Sequence, residues 1–283
     1  MTIGRSNNEA VTGDRASTEP RLPIAAGINT MVAARPKNRS PESEYVVLYG
    51  VPCETYEGIL EALGEYHLRH TYDDGTLEMR RLLYGVTWED YLKLLDATAD
   101  LYLRHTYEEG TLEMMSPRKD HDWVAKLIAR MIEAYAFATD FPIQSVGSMT
   151  LRATKAGRGI QPDEAYYFAH EPLVRCKDTY EPEKDPPPDL VIEVDVTSTS
   201  VPRMPVLAQI GVIEVWRLAR GRLRFYRLKS KGKYEAAQHS SAFPFLKPAD
   251  LMRFVKRRDK IGENAVVREF VEWAEKTQQQ ERK

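Results

Sequence analysis

The segment DLVIEVDVT, residues 189–197, has the pattern of a buried strand that carries acids, and it is the most informative part of the sequence. Side chains alternate between the two faces of a strand, so Glu193 and Asp195 share one face with Val191 while Ile192 takes the other. Aliphatic residues on both faces are typical of a central strand that is covered on both sides. Carboxylates in such surroundings stay ionised only if they are paired, hydrogen-bonded or bound to a cation.

A third acid belongs to the same pattern. Asp163 opens a second predicted strand in GIQPDEAYYF, residues 159–168. If the two strands are neighbours, Asp163 and Glu193 converge on one hard cation, and magnesium prefers carboxylate oxygens. Two alternatives stay open: Asp163 follows a proline and fits a turn, and Asp195 is placed to cap the turn at 197–200.

The flanking segments predict an α/β architecture. Apolar residues recur at helical spacing after Asp120, a candidate N-cap: Val124, Leu127, Ile128, Met131, Ile132 and Tyr135. Strands are predicted at 142–151, 160–168 and 189–197, a helix at 202–210 and a hairpin at 213–228. This order predicts an α/β sandwich around one mixed sheet.

An internal repeat precedes this region. YGVPCETYEGILEALGEYHLRHTYDDGTLEM (49–79) returns as YGVTWEDYLKLLDATADLYLRHTYEEGTLEM (84–114), offset by 35 residues. Each copy predicts a short helix and a hairpin, with Thr87 as the N-cap of the second helix and Asp90 as its partner. His70 and His105 fall on the hairpin strands, where we assign them no chemistry. The extra copy is interpreted as a unit packed beside the main domain; a platform or a strand edge for a partner is the alternative.

Composition and charge limit the functional classes. The chain has 283 residues, 42% hydrophobic and 29% charged, which excludes disorder over its full length. No apolar run reaches the ~20 residues of a membrane span, and no secretory signal is present, so we expect a cytoplasmic protein with no membrane partner. Two cysteines exclude a disulfide scaffold. Residues 217–283 hold 18 Lys and Arg against 8 Asp and Glu, which fits either a polyanionic partner or an uneven soluble surface.

Four regions are predicted along the chain. Residues 1–40 form a disordered leader, 41–83 contain the first repeat copy, 84–275 form the main domain with the second copy at 84–114, and 276–283 form a polar tail.

Several motifs, in order, resemble a known family. PD at 162–163, PDLVIEVDVTSTS at 188–200 and GVIEVWRL at 211–218 resemble the Uma-type restriction endonuclease family of bacteria, of the PD-(D/E)XK nuclease superfamily. GTLEMMSPRKDHDWVAKLIARMI (110–132) resembles the entry segment of that family. The resemblance covers roughly 84–275. It implies a restriction-endonuclease-like core, a mixed β-sheet flanked by helices, here with a duplicated N-terminal helix–hairpin unit.

The same resemblance implies an endonuclease that hydrolyses phosphodiester bonds in DNA with Mg²⁺ or Mn²⁺. Asp163 matches the first acid of the motif and Glu193 the second, and Asp195 stands where the parent motif has lysine. Arg203 aligns with the displaced basic residue, and His121 matches the family histidine, although a boundary role for this histidine stays open. An arginine stays protonated, so Arg203 is a candidate for stabilising charge on phosphorus rather than a base.

Other classes have less support. The phosphate-binding loop GxxxxGK[ST], the fingerprint GxGxxG, the zinc motif HExxH and the elbow GxSxG do not occur. Arginine at position 203 in place of lysine motivates a second hypothesis, a catalytically inactive nucleic-acid-binding module or an interaction protein. Aromatic and basic residues alternate in the 213–228 hairpin, which fits either nucleic-acid contact or a half-exposed strand pair. A homodimer is a further expectation.

Overall fold

The structure is a computed structural model of the chain, and it describes residues 45–281 with short gaps. The gaps are His67, Arg69, Tyr102, 116–118, Ser148, Asp178, Glu183 and 196–201. Within the described elements, nothing is stated of the side chains of Glu65, 119–122, Asp195 and Glu281. The predicted leader at 1–40 lies outside the described residues.

Fourteen strands and eight α-helices form the described part of the chain. The strands are β1 (Tyr45–Leu48), β2 (His70–Asp73), β3 (Thr76–Arg80), β4 (Leu82–Tyr84), β5 (Arg104–Glu108), β6 (Thr111–Met115), β7 (Gln144–Ser145), β8 (Leu151–Ala153), β9 (Arg158–Ile160), β10 (Glu164–Tyr167), β11 (Leu190–Asp195), β12 (Glu214–Ala219), β13 (Arg222–Leu228) and β14 (Tyr234–Ala237). The helices are α1 (Cys53–Leu63), α2 (Trp88–Ala97), α3 (Lys119–Ala138), α4 (Glu171–Val174), α5 (Arg203–Ile210), α6 (Pro248–Val255), α7 (Arg258–Ile261) and α8 (Glu263–Glu281).

The strands form three sheets among the described residues, so the prediction of one mixed sheet is wrong in this respect. Their orders are β1-β3-β2, β4-β6-β5-β9-β8 and β14-β13-β12-β11-β10-β7. Only the last sheet is mixed, because β11 and β12 run parallel whereas its other pairs are antiparallel. The two predicted strands at 142–151 and 160–168 are each divided between two sheets. Pro162 explains the second break, since a proline cannot donate to a strand ladder.

The mixed sheet is covered on both faces, as the pattern of β11 predicts. Ile192 and Val194 pack with α3, α6 and α8 in one core cluster. Val191 packs on the opposite face with Val206 and Leu207 of α5. The mixed α/β fold class, with helices flanking the sheet, is therefore confirmed.

Helix boundaries follow the predictions with some shifts. The Thr87 hydroxyl accepts a hydrogen bond of 3.2 Å from the backbone N–H of Asp90, so this N-cap is confirmed. Helix α3 begins at Lys119, which places Asp120 inside the helix rather than at its cap. Helix α8 continues to Glu281 and includes most of the predicted polar tail.

Both repeat segments fold as a helix followed by a hairpin, α1 with β2–β3 and α2 with β5–β6. The two helices pack against each other, and Gly58 allows a close approach, since a Cβ there would lie 3.1 Å from Cβ of Ala97. Within the described residues, every helix is too short or too polar to cross a membrane.

Candidate active site

A three-residue segment, 161–163, connects two of the sheets and carries one of the predicted acids. Strand β9 belongs to the sheet of the second repeat hairpin, and β10 belongs to the mixed sheet. Glu164 pairs with Ile192 across β10 and β11, so Asp163 lies one step further, opposite Glu193. The backbone N–H of Val194 donates to Oδ2 of Asp163 at 2.6 Å, which holds the carboxylate against β11. The structure therefore brings Asp163 and Glu193 to neighbouring positions.

Glu193 forms a buried ion pair with Arg203. The Nη2 atom of Arg203 lies 2.9 Å from Oε1 and 2.8 Å from Oε2 of Glu193, and the two side chains are 4% and 3% exposed. The same Nη2 donates to the backbone carbonyl of Gln161 at 3.0 Å. This contact connects Gln161, the first residue of the 161–163 segment, to β11 and to the start of α5.

Asp163 has its own arginine. Nη1 of Arg104, the first residue of β5, donates to Oδ1 of Asp163. These side chains are 12% and 14% exposed, so this pair lies closer to the solvent than Glu193 and Arg203. Two carboxylates and two guanidinium groups thus form a four-residue charge cluster whose formal charges cancel, which lowers the cost of burying them.

His105 lies beside this cluster and is buried. The backbone carbonyl of His105 accepts a hydrogen bond of 3.1 Å from the N–H of Gln161, and its Nδ1 lies 3.0 Å from the hydroxyl of Tyr91. Burial, and then the positive charge of Arg203, lower the pKa of His105 to about 3. This imidazole is therefore neutral at physiological pH.

Asp195 and His121, the two other predicted site residues, lie in β11 and α3, but their side chains are outside the described part. Asp195 is the last residue of β11, opposite Ala219 of β12. His121 is in the first turn of α3. Among the described side chains, no group of three or more histidines, cysteines and acids has the geometry of a metal site.

The donor chemistry around the 161–163 segment fits a hard divalent cation. Asp163 and Glu193 offer carboxylate oxygens from adjacent strands, which is the ligand type that Mg²⁺ prefers. Gln161 adds a buried side-chain oxygen that has no hydrogen-bond partner among the described residues. Arg104 contacts Asp163 and Arg203 contacts Glu193, so a cation bound by both carboxylates would lie beside two guanidinium charges.

Arg104 is the member of the cluster that the sequence analysis did not find. It lies in the motif LRHTY, which both repeat copies contain, so the motif gives no reason to prefer one arginine over the other. The contact with Asp163 depends on the pairing of β5 with β9, which a local pattern does not reveal.

Three comparisons relate the chain to known proteins. No curated protein matches the chain. A solved structure titled "Crystal structure of a putative nuclease belonging to DUF820 from Anabaena variabilis ATCC 29413" is 16% identical, with a TM-score of 0.42, and the match covers 59% of this chain and 98% of that one. The model of the family Uma2, described as "Putative restriction endonuclease", matches residues 88–254. Since this match spans more than half of the sequence, the chain belongs to the Uma2 family.

Proposed function

We propose that this chain is a metal-dependent endonuclease that hydrolyses phosphodiester bonds in DNA. The observation that carries the proposal is the meeting of Asp163 and Glu193 on adjacent strands beside Arg203. Membership of a family described as restriction endonucleases supports it. The proposed metal ligands are Asp163, Glu193 and Asp195, with Mg²⁺ as the ion and Mn²⁺ as a substitute.

The residues of the chain have distinct proposed roles. A bound divalent ion would lower the pKa of a water molecule and so supply the nucleophile. Asp163 and Glu193 hold their carboxylates in fixed positions, through the N–H of Val194 and the guanidinium of Arg203 respectively. Arg203 stabilises negative charge on the scissile phosphate, since a guanidinium offers several donors and stays charged.

Three features complete these roles. Nε of Arg203 is buried and has no acceptor among the described residues, so this guanidinium retains a donor beyond those that bind Glu193 and Gln161. His121 completes the proposed catalytic set, because an imidazole exchanges protons near neutral pH. The basic stretch 217–283 is the proposed contact with the DNA backbone.

The test is cleavage of supercoiled plasmid by the purified chain. We expect nicked and linear products with Mg²⁺ or Mn²⁺ and none with a chelator. Glu193→Gln and Asp163→Asn should remove activity, because each takes one charge from the ion-binding pair. Glu235→Gln is the matched control, since it makes the same change at an exposed position on β14. Equal rates from Glu193→Gln and the control would contradict the proposed site.

One observation favours a second function, a nucleic-acid-binding module without cleavage activity. Both carboxylates are already neutralised by arginines, as expected of a site that has exchanged its ion for guanidinium groups. This function predicts DNA binding that weakens steeply with salt and is unaffected by chelator. Calorimetric titration with Mg²⁺ distinguishes the endonuclease from the binding module. The endonuclease should bind Mg²⁺ and should lose this binding in Asp163→Asn, whereas the binding module requires no ion. Sedimentation of the same samples tests the expected homodimer.

A further inference from the structure

The two repeat segments contain the same cluster of aromatic side chains. Tyr56 stacks on Tyr72 with their ring centroids 4.2 Å apart, and its hydroxyl lies 3.0 Å from Nε2 of His70. Tyr91 stacks on Tyr107 at 4.7 Å, and its hydroxyl lies 3.0 Å from Nδ1 of His105. Each residue of the second cluster stands 35 positions after its counterpart, so the two hairpins bring the same residue types together, although a different histidine nitrogen faces the tyrosine in each.

The surroundings of the two hairpins differ at one edge. Strand β5 pairs with β6 on one side and with β9 on the other. Its counterpart β2 pairs with β3, and no described strand covers its second edge. As a result His105 and Thr106 are buried, whereas His70 and Thr71 are exposed.

Strand β9 shows what this edge accepts. Gly159 lies opposite Tyr107, and a Cβ on this glycine would come within 2.5 Å of the Tyr91 hydroxyl, so the position requires glycine. The preceding residue, Arg158, donates to Glu108 at 3.2 Å and to Glu109 at 2.8 Å. An arginine, a glycine and then an aliphatic residue, Ile160, therefore fit the edge of β5.

The second edge of β2, which no described strand covers, keeps the complementary features. Asp73 and Asp74 occupy the positions of Glu108 and Glu109, so the acidic end that binds an arginine is present. The stacked Tyr56 and Tyr72 are the counterparts of Tyr91 and Tyr107, so we expect glycine to be favoured opposite Tyr72 as it is opposite Tyr107. An unpaired strand edge also offers backbone N–H and C=O groups to an added strand.

We propose that this second edge of β2 binds an extended segment of a partner protein containing Arg-Gly followed by an aliphatic residue. The segment adds to the three-stranded sheet antiparallel to β2. Its arginine lies opposite Asp73 and its glycine opposite Tyr72, as Arg158 and Gly159 lie opposite Glu108 and Tyr107. This interaction is separate from the proposed hydrolysis.

The test uses a fluorescent peptide with the sequence KAGRGIQP, residues 155–162, titrated against the full chain and followed by anisotropy. Saturable binding is expected. The same peptide with Gly159→Val should bind about tenfold more weakly or worse, because the added side chain meets the Tyr56 ring. This change leaves the protein unaltered, so a folding defect does not confuse the result.

A second arm locates the site on the protein. Asp73→Lys should weaken peptide binding by about fivefold or more, since it replaces attraction for the peptide arginine by repulsion. Glu272→Lys, an equal charge change at an exposed position on α8, is the matched control and should leave binding unchanged. Absence of binding, or equal binding of the glycine and valine peptides, would overturn the proposal. Self-association of the chain through this edge that the peptide does not disrupt would also overturn the proposal.

Discussion

The buried pair of Glu193 and Arg203 gives the sharpest prediction on stability. Glu193→Ala removes one partner and leaves the other guanidinium charge in a position where it is only 4% exposed. Loss of one member of a buried pair typically costs about 3–5 kcal/mol, because the remaining charge has neither water nor a counter-ion. Replacing both residues, as in Glu193→Leu with Arg203→Met, should cost much less than the single change, since no uncompensated charge remains.

A surface pair in the same chain provides the control. Lys184 and Glu181 lie 2.5 Å apart, but their side chains are 71% and 55% exposed. Such pairs contribute about 0–1 kcal/mol, so Glu181→Ala should change the free energy of unfolding little. The contrast between the two glutamates isolates the effect of burial from the effect of removing a carboxylate.

The assay is urea unfolding in the presence of a chelator, so that bound divalent cations do not contribute to the measured stability. Intrinsic tryptophan fluorescence is a suitable probe because Trp216, one of the four tryptophans, is buried opposite Ile192 in the neighbouring strand. Equal losses from Glu193→Ala and Glu181→Ala would refute the argument. A double variant less stable than the Glu193→Ala single variant would refute it as well.

Three further predictions concern other parts of the fold. Burial lowers the pKa of His105 to about 3 from an unfolded value of 6.5, so the unfolded chain binds a proton first as the pH falls. The free energy of unfolding should therefore decrease by up to ~1.4 kcal/mol for each pH unit as the pH falls between these two values. His105→Gln should reduce this slope, as measured by urea titrations at several pH values. Gly159→Ala should lower the melting temperature, because its Cβ would lie 2.5 Å from the Tyr91 hydroxyl and overpacking costs about 1–3 kcal/mol; an unchanged melting curve would contradict the geometry. Thr87→Ala should cost about 1 kcal/mol through loss of the helix cap, whereas Thr87→Ser should keep most of it, as compared by chemical denaturation.

Structural features that depend on residues close in sequence, such as the faces of β11 and the helix α3, were predicted well. The alternation in 189–197 placed Val191 and Ile192 on opposite faces and indicated a buried acid at Glu193. The helical period after Asp120 predicted α3, since a 3.6-residue repeat of apolar residues is a local property. The motifs around these elements also identified the family.

Features that depend on distant pairing were predicted less well. The sequence does not tell which sheet receives β9, because its pairing with β5 joins segments about 50 residues apart, as the contact of Thr106 with Ile160 shows. The contact of Arg104 with Asp163 depends on the same pairing, so neither this contact nor the five-stranded sheet was predicted. The predicted metal ligands and catalytic residues stay predictions.

The short connection at 161–163 has a consequence for how the molecule responds to force. Its two ends are fixed in different sheets, and its three residues leave almost no slack. A displacement of the five-stranded sheet by a few ångströms must therefore move both Asp163 and the Gln161 carbonyl that binds Arg203. The chain thus contains a mechanical linkage through which strain applied at the second repeat hairpin, β5–β6, would reach the acidic pair.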